Sequence, residues 1–151
     1  KTAPADVPGR IAALLDERKT MERDLADVRR KLATGGGGAA AAEIKSVNGV
    51  RFMPRKFDDV PAKDLKSMAD EFKTRIGSGV VALISVDGGK ASLVVGVTED
   101  LSARISAVDL VRVGAAAIGG KGGGGRPDMA QAGGPDAARA NEALAAIEAA
   151  L

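Results

Sequence analysis

Apolar residues near the start of the chain recur at Ile11, Leu14, Met21, Leu25, Val28 and Leu32, in alternating three- and four-residue steps. Arg18 fills the one missing place, and Leu15 sits beside it. This is a heptad stripe with a single charged interruption, the mark of a helix whose seam needs a partner. Asp6 and Pro8 suit its N-terminus, and Asp27 and Lys31 form an i,i+4 pair on its polar side. The stripe predicts a helical arm over residues 1–34 that packs on the rest of the chain, pairs with a second copy or acts as a spacer. Gly35–Gly38 and Ala39–Ala42 break the pattern, so residues 35–42 read as a linker.

The remainder, residues 43–151, alternates between strand and helix periods. Ile44–Val47 and Val50–Met53 flank Asn48-Gly49, a strong short hairpin signal. Asp58, Asp59 and Pro61 announce a helix whose buried face is Leu65, Met68, Phe72 and Ile76, with Gly77 just past its end. Val80–Val86 is almost continuously apolar, as a central strand requires. Asp87-Gly88-Gly89 turns it, and Lys90–Val97 returns beside it. Thr98–Asp100 then begins a helical region with apolar Leu101, Ile105, Val108, Val111 and Val113, running into Ala115–Ile118. A glycine-rich segment follows from Gly119 to Gly134, and Pro135-Asp136 opens a last helix through Leu144, Ile147 and Leu151. The order predicts an α+β fold, a coiled-coil-like arm ahead of one sheet of about four strands with packed helices.

Composition narrows the chemistry. The chain has neither Cys nor His, which excludes thiol nucleophiles, disulfides, Ser-His-Asp triads and the common zinc sites. The formal net charge is only +2, so any nucleic-acid binding depends on local placement of cations. With three Phe and no Trp or Tyr, aromatic stacking platforms are not expected. No stretch is long and apolar enough to span a bilayer. The chain begins at Lys1 and reads as a piece of a longer protein.

The glycine-rich segment carries the most specific chemistry. Glycines let backbone amides approach an anion closely, and successive N–H groups can form a concave nest. Lys121 and Arg126 bracket Gly122–Gly125 with positive charge, while Asp128 and Gln131 can brace the loop. Chemistry alone leaves phosphate binding and a mere connector both open. It is not a P-loop, because Gly122 stands where a Ser or Thr must follow the lysine. Nor is it a dinucleotide fingerprint, because it follows a helix rather than a strand. The carboxylate pairs Asp58/Asp59, Asp70/Glu71 and Glu99/Asp100 lie at helix starts or on solvated faces, with no base or nucleophile beside them. Arg51, Arg55, Lys56 and Lys90 would widen a positive patch if they shared a surface.

The string GGKGGGGRPDMAQAGG from Gly119 resembles the glycine-rich signature of the C-terminal domain of the alanyl-tRNA synthetase family. That domain is similar to the DHH-associated domain of some phosphodiesterases and exonucleases. The run Gly122–Gly125 is one glycine longer than the family form GGKGGGRPDMAQ. NGV at Asn48, PAKDLK at Pro61, GSGVVAL at Gly77, DGGKASLVVGVTEDL at Asp87 and DLVRVGAAAIGGKGG at Asp109 extend the likeness over nearly the whole chain.

The resemblance implies a domain without catalytic residues or metal ligands of its own, which holds tRNA, especially at its elbow. Its contacts would be Gly119, Gly120, Lys121, Gly122, Gly123, Gly124, Gly125, Arg126 and Gln131. The expected partners are the tRNA for alanine, the aminoacylation and editing domains of the same chain, and a second copy through the arm. No cofactor is expected here; ATP and zinc would belong to other domains of a cytoplasmic ligase. Two rivals remain: the substrate lobe of a DHH-type phosphodiesterase, and a structural dimerisation module.

Overall fold

The computed structural model describes residues 7–34 and 44–151. They belong to two compact units. The first is helix α1, Val7–Thr34. Its apolar stripe is open: Ile11, Leu14, Met21, Leu25 and Val28 are between 51% and 57% exposed. Arg18, the interruption in the stripe, pairs with Glu22 one turn on at 2.8 Å. The side chains of Lys31 and Leu32, residue Asp6 and the expected 35–42 linker lie outside the described residues.

The second unit is a mixed six-stranded sheet in the order β1-β2-β3-β4-β6-β5. Strands β1 (Lys45–Val47) and β2 (Val50–Asp58) form the expected Asn-Gly hairpin. Asn48 and Gly49 both take positive φ, 49° and 80°, as the tight primed turn demands. β2 runs on past the expected Met53 and carries Pro54. Beyond Phe52 it pairs only with β3, so a proline's missing N–H is tolerated on the open side. Helix α2 (Ala62–Ile76) then crosses over to β3 (Val80–Asp87), which lies parallel to β2. Asp58 and Asp59 end β2 rather than start the helix; Asp59 turns with φ 58° and its N–H reaches Val86 O. The α2 face is as expected, with Leu65, Met68, Phe72 and Ile76 buried and Gly77 at φ 74° closing the last turn.

Strand β4 (Lys90–Val97) returns antiparallel to β3, and six of the eight β3 residues are buried. The expected helical region after Thr98 divides. Residues 99–105 form turns, and helix α3 occupies only Ala107–Ala117. Its buried face is Ala107, Leu110, Val111, Gly114 and Ala115, which leaves Val113 39% exposed. The strand count is six rather than about four, because the glycine-rich segment is itself a hairpin, β5 (Gly123–Arg126) and β6 (Met129–Gly134). β6 pairs with β4, so this hairpin extends the sheet. After a 3-10 turn (Ala137–Arg139), helix α4 (Ala140–Ala149) packs Ala143 and Ile147 against the same face as α3.

Two buried hydroxyls lock strand ends. Ser85 Oγ bonds both N–H and C=O of Val60, and Thr98 Oγ1 does the same for Gly79. Beside them the Ser78 hydroxyl donates to the Asp100 carboxylate, and this bond, followed by one from Thr98, holds the Asp100 carboxyl below its ordinary range. A lowered folded-state pKa means the contact is present at neutral pH and lost as pH falls through the Asp100 titration. Ser78→Ala is expected to raise that pKa toward the ordinary value, which carboxyl-carbon NMR titration would read.

Candidate nucleic-acid interface

The glycines divide into those the fold consumes and those it leaves free. Gly119, at φ 70°, ends α3 in the left-handed conformation. Its N–H bonds Ala116 O at 3.3 Å, and the N–H of Gly120 bonds Ala115 O at 2.8 Å. Both amides therefore serve the helix end. A Cβ on Gly120 would strike Gly133 O, and one on Gly134 would strike Ile118 O. On Gly123 it would lie 2.7 Å from the Ala132 Cβ and 2.8 Å from the Val111 Cγ1. A Cβ on Gly125 would meet Met129 O. These four let backbone approach backbone. Gly122 needs its φ of 118°, but a Cβ there would meet nothing within 4 Å, and Gly124 has neither constraint.

The local geometry is a strand, not the concave nest of four successive amides expected for Gly122–Gly125. In an antiparallel pair the amides point alternately toward and away from the partner. β5 is the sheet's last strand, so only alternate amides of Gly123–Arg126 face outward.

The string Arg126-Pro127-Asp128 makes the turn and fixes it. Pro127 O accepts from Ala107 N at 2.9 Å, tying the turn to the start of α3. Asp128 O accepts from Val97 N at 2.8 Å and from Lys73 Nζ at 3.4 Å. The Asp128 carboxylate lies 3.4 Å from Arg126 Nε and 3.7 Å from Lys73 Nζ. Asp128 is thus the expected brace. Lys73 was not foreseen; its only sequence signal is Gly96 in β4, where a Cβ would lie 2.9 Å from the Lys73 Cδ.

The hairpin brings Arg126 and Gln131 together. Gln131 stands opposite Gly124 and is exposed. The Arg126 side chain is 79% exposed. Lys121, in the turn before β5, is exposed and has no ion pair among the described residues. Arg51 and Arg55 do not join them. They lie on the α2 face of β2, four strands from β5, roughly 19 Å at the usual strand spacing. Lys56 points to the other face of β2, and Lys90 begins β4 beside the β3–β4 turn. Among the described residues no three acidic side chains gather as a metal site, and no helix is long and apolar enough to cross a membrane.

The DHHA1 domain model matches residues 49–151. The whole chain is 62% identical to alanine--tRNA ligase of Paramagnetospirillum magneticum, of which it spans 17%. Among solved structures, the C-Ala domain of Aquifex aeolicus alanyl-tRNA synthetase is 30% identical with a TM-score of 0.66. That match covers 70% of this chain and 94% of the solved one. RecJ from Thermus thermophilus, at 19% identity and a TM-score of 0.50 over 94% of this chain and 19% of its own, shares the fold alone. With its β5–β6 hairpin built on the RPDMAQ string, this chain belongs to the DHHA1 domain family, among the C-Ala domains of alanyl-tRNA synthetases.

Proposed function

We propose that the domain anchors tRNA by its ribose-phosphate strand, near the elbow where the two arms of the molecule meet. It would do so within a cytoplasmic, ATP-dependent ligase that charges the tRNA with alanine and edits mischarged product. ATP and the zinc of the editing domain belong to other parts of that enzyme; this domain supplies position. The observation that carries the reading is the placement of Lys121 and Arg126 at the two ends of an exposed edge strand. Outward amides of Gly122–Gly125 and the two cations meet phosphate oxygens, while Gln131 lies opposite Gly124 on the neighbouring strand. Gly119 and Gly120 contribute by their small surface, since their amides are taken.

Such contacts orient RNA without reading its sequence. Selectivity then rests on tertiary shape and 2′-hydroxyls. In the double variant Lys121→Ala/Arg126→Ala, tRNA affinity is expected to fall, and the slope of log K against log salt to shrink by about 0.7–0.9 per lost phosphate contact. Filter binding at several salt concentrations measures both, and hydroxyl-radical footprinting places the contact on the tRNA. An unchanged slope would remove the hairpin from the interface.

Residues 1–34 act as an arm, 35–42 as its joint and 43–151 as the RNA-holding body. The open α1 stripe fits pairing with a second copy, the Arg18–Glu22 pair limiting the length of a tight zipper. Leu14→Glu/Leu25→Glu is expected to shift sedimentation from dimer to monomer without altering the body's melting.

A further inference from the structure

The free glycines point to one side of the hairpin. Gly123 faces α3, so its neighbour Gly124 faces the opposite side, the one α2 partly covers. Gln131 stands opposite Gly124 and shares that face, as do Gly133 on β6 and Ser92 and Val94 on β4. Helix α2 lies over β4, where Ala69 and Lys73 reach Gly96, but the sheet continues past it. The result is an open groove of about 280 Å³ lined by Ala62, Ser92, Val94, Gln131 and Gly133. Neither the Ser92 hydroxyl nor the Gln131 amide has a hydrogen-bond partner among the described residues.

This lining suits a flat ring with polar edges. Ala62 gives it an apolar edge, Val94 lies beneath it at 2% exposure, and Gly133 leaves its floor low. A glutamine amide both donates and accepts, matching the mixed edge of a nucleobase. Aromatic stacking is not available: Phe52, Phe57 and Phe72 are all buried in the core. Arg126 stands two residues from Gly124 on the same face, about 7 Å along the strand, close to the span between a base and its phosphate. Asp128 and, through it, Lys73 hold that cation in place.

We infer that this groove is a nucleotide subsite, taking one unstacked base of the bound RNA with Gln131 and Ser92 on its edge and Arg126 on its phosphate. The inference rests on the proposed RNA-holding role and adds a side, a pocket and an unpaired nucleotide to it.

The test uses the whole chain and an unmodified transcript of the tRNA for alanine. Gly124→Val sets a branched side chain opposite Gln131 on the same face of the hairpin, where it meets nothing within 4 Å, and Gln131→Ala removes the amide. Each is expected to weaken binding by about tenfold, the value of one or two lost hydrogen bonds. The salt slope should stay unchanged, because no phosphate contact is lost, and neither variant should lower the melting temperature, because no packing is lost. Ser92→Ala should weaken binding less. Full affinity in both Gly124→Val and Gln131→Ala, with Lys121→Ala/Arg126→Ala still impaired, would overturn the groove and leave the phosphate grip standing. Full affinity in all of them would overturn both.

Discussion

Phe72→Ala is expected to destabilise the sheet-bearing unit by about 3–5 kcal/mol, the usual cost of emptying a buried phenylalanine site. For a unit of this size that corresponds to a drop in melting temperature of more than about 12 °C. The ring is 1% exposed and stands between α2 and β2. It stacks on Phe57 with centroids 6.4 Å apart. The guanidinium carbons of Arg55 and Arg75 lie 5.6 and 5.7 Å from its centroid. Arg55 Nε is buried without a hydrogen-bond partner, and burial, then the charge of Arg75, lowers the Arg55 pKa. The ring face is what Arg55 rests on, so alanine would leave both a cavity and a cation without its neighbour. Phe72→Leu keeps most of the volume and loses the ring, so its smaller loss reports the ring's contacts together, the stacking on Phe57 and the cation–π contacts of about 0.5–2 kcal/mol. Urea unfolding of both variants measures the difference. A loss below about 1 kcal/mol for alanine would mean that the α2–β2 contact is not central to the fold.

The sequence made the regular elements legible because their periods are strong. The α2 face repeated at helical spacing, Asn48-Gly49 had one good structural use, and Val80–Val86 was too apolar for an edge. The glycine-rich segment reads as a loop, although it is a hairpin, for a physical reason. Strand signals are carried by side chains, and Gly123–Gly125 have none to alternate. Its pairing is set by what lies around it, namely the β6 register, the Pro127 and Asp128 carbonyls, and Lys73 reaching over Gly96. The start of α3 is obscured likewise, because Leu101 and Ile105 continue the apolar spacing while residues 99–105 turn. Of the candidate site, the cations, the amide and the bracing aspartate were all readable. What sequence could not supply was sidedness: which glycines the fold needs, and which face of the hairpin remains open.

That distinction makes the last prediction one of opposite signs. Gly134→Ala is expected to destabilise the unit by about 1–3 kcal/mol or more, the range for inserting atoms where the surroundings cannot yield. Its Cβ would overlap the Ile118 carbonyl oxygen and come within 2.7 Å of the Ile118 Cγ1. That carbonyl cannot turn away freely, since it already accepts from Asp136 N at 3.1 Å. The clash would pry β6 from the end of α3 and loosen the hairpin that carries Arg126 and Gln131. Gly124→Ala, ten residues earlier in the same segment, meets nothing within 4 Å and has no positive φ to relieve. There the gain comes from the unfolded chain, which loses freedom it would otherwise surrender on folding, so alanine should stabilise by about 0.4–1 kcal/mol. Thermal unfolding of the two variants decides the matter. If both destabilise alike, Gly124 is part of the packing after all, and the open face on which the nucleotide groove depends is closed.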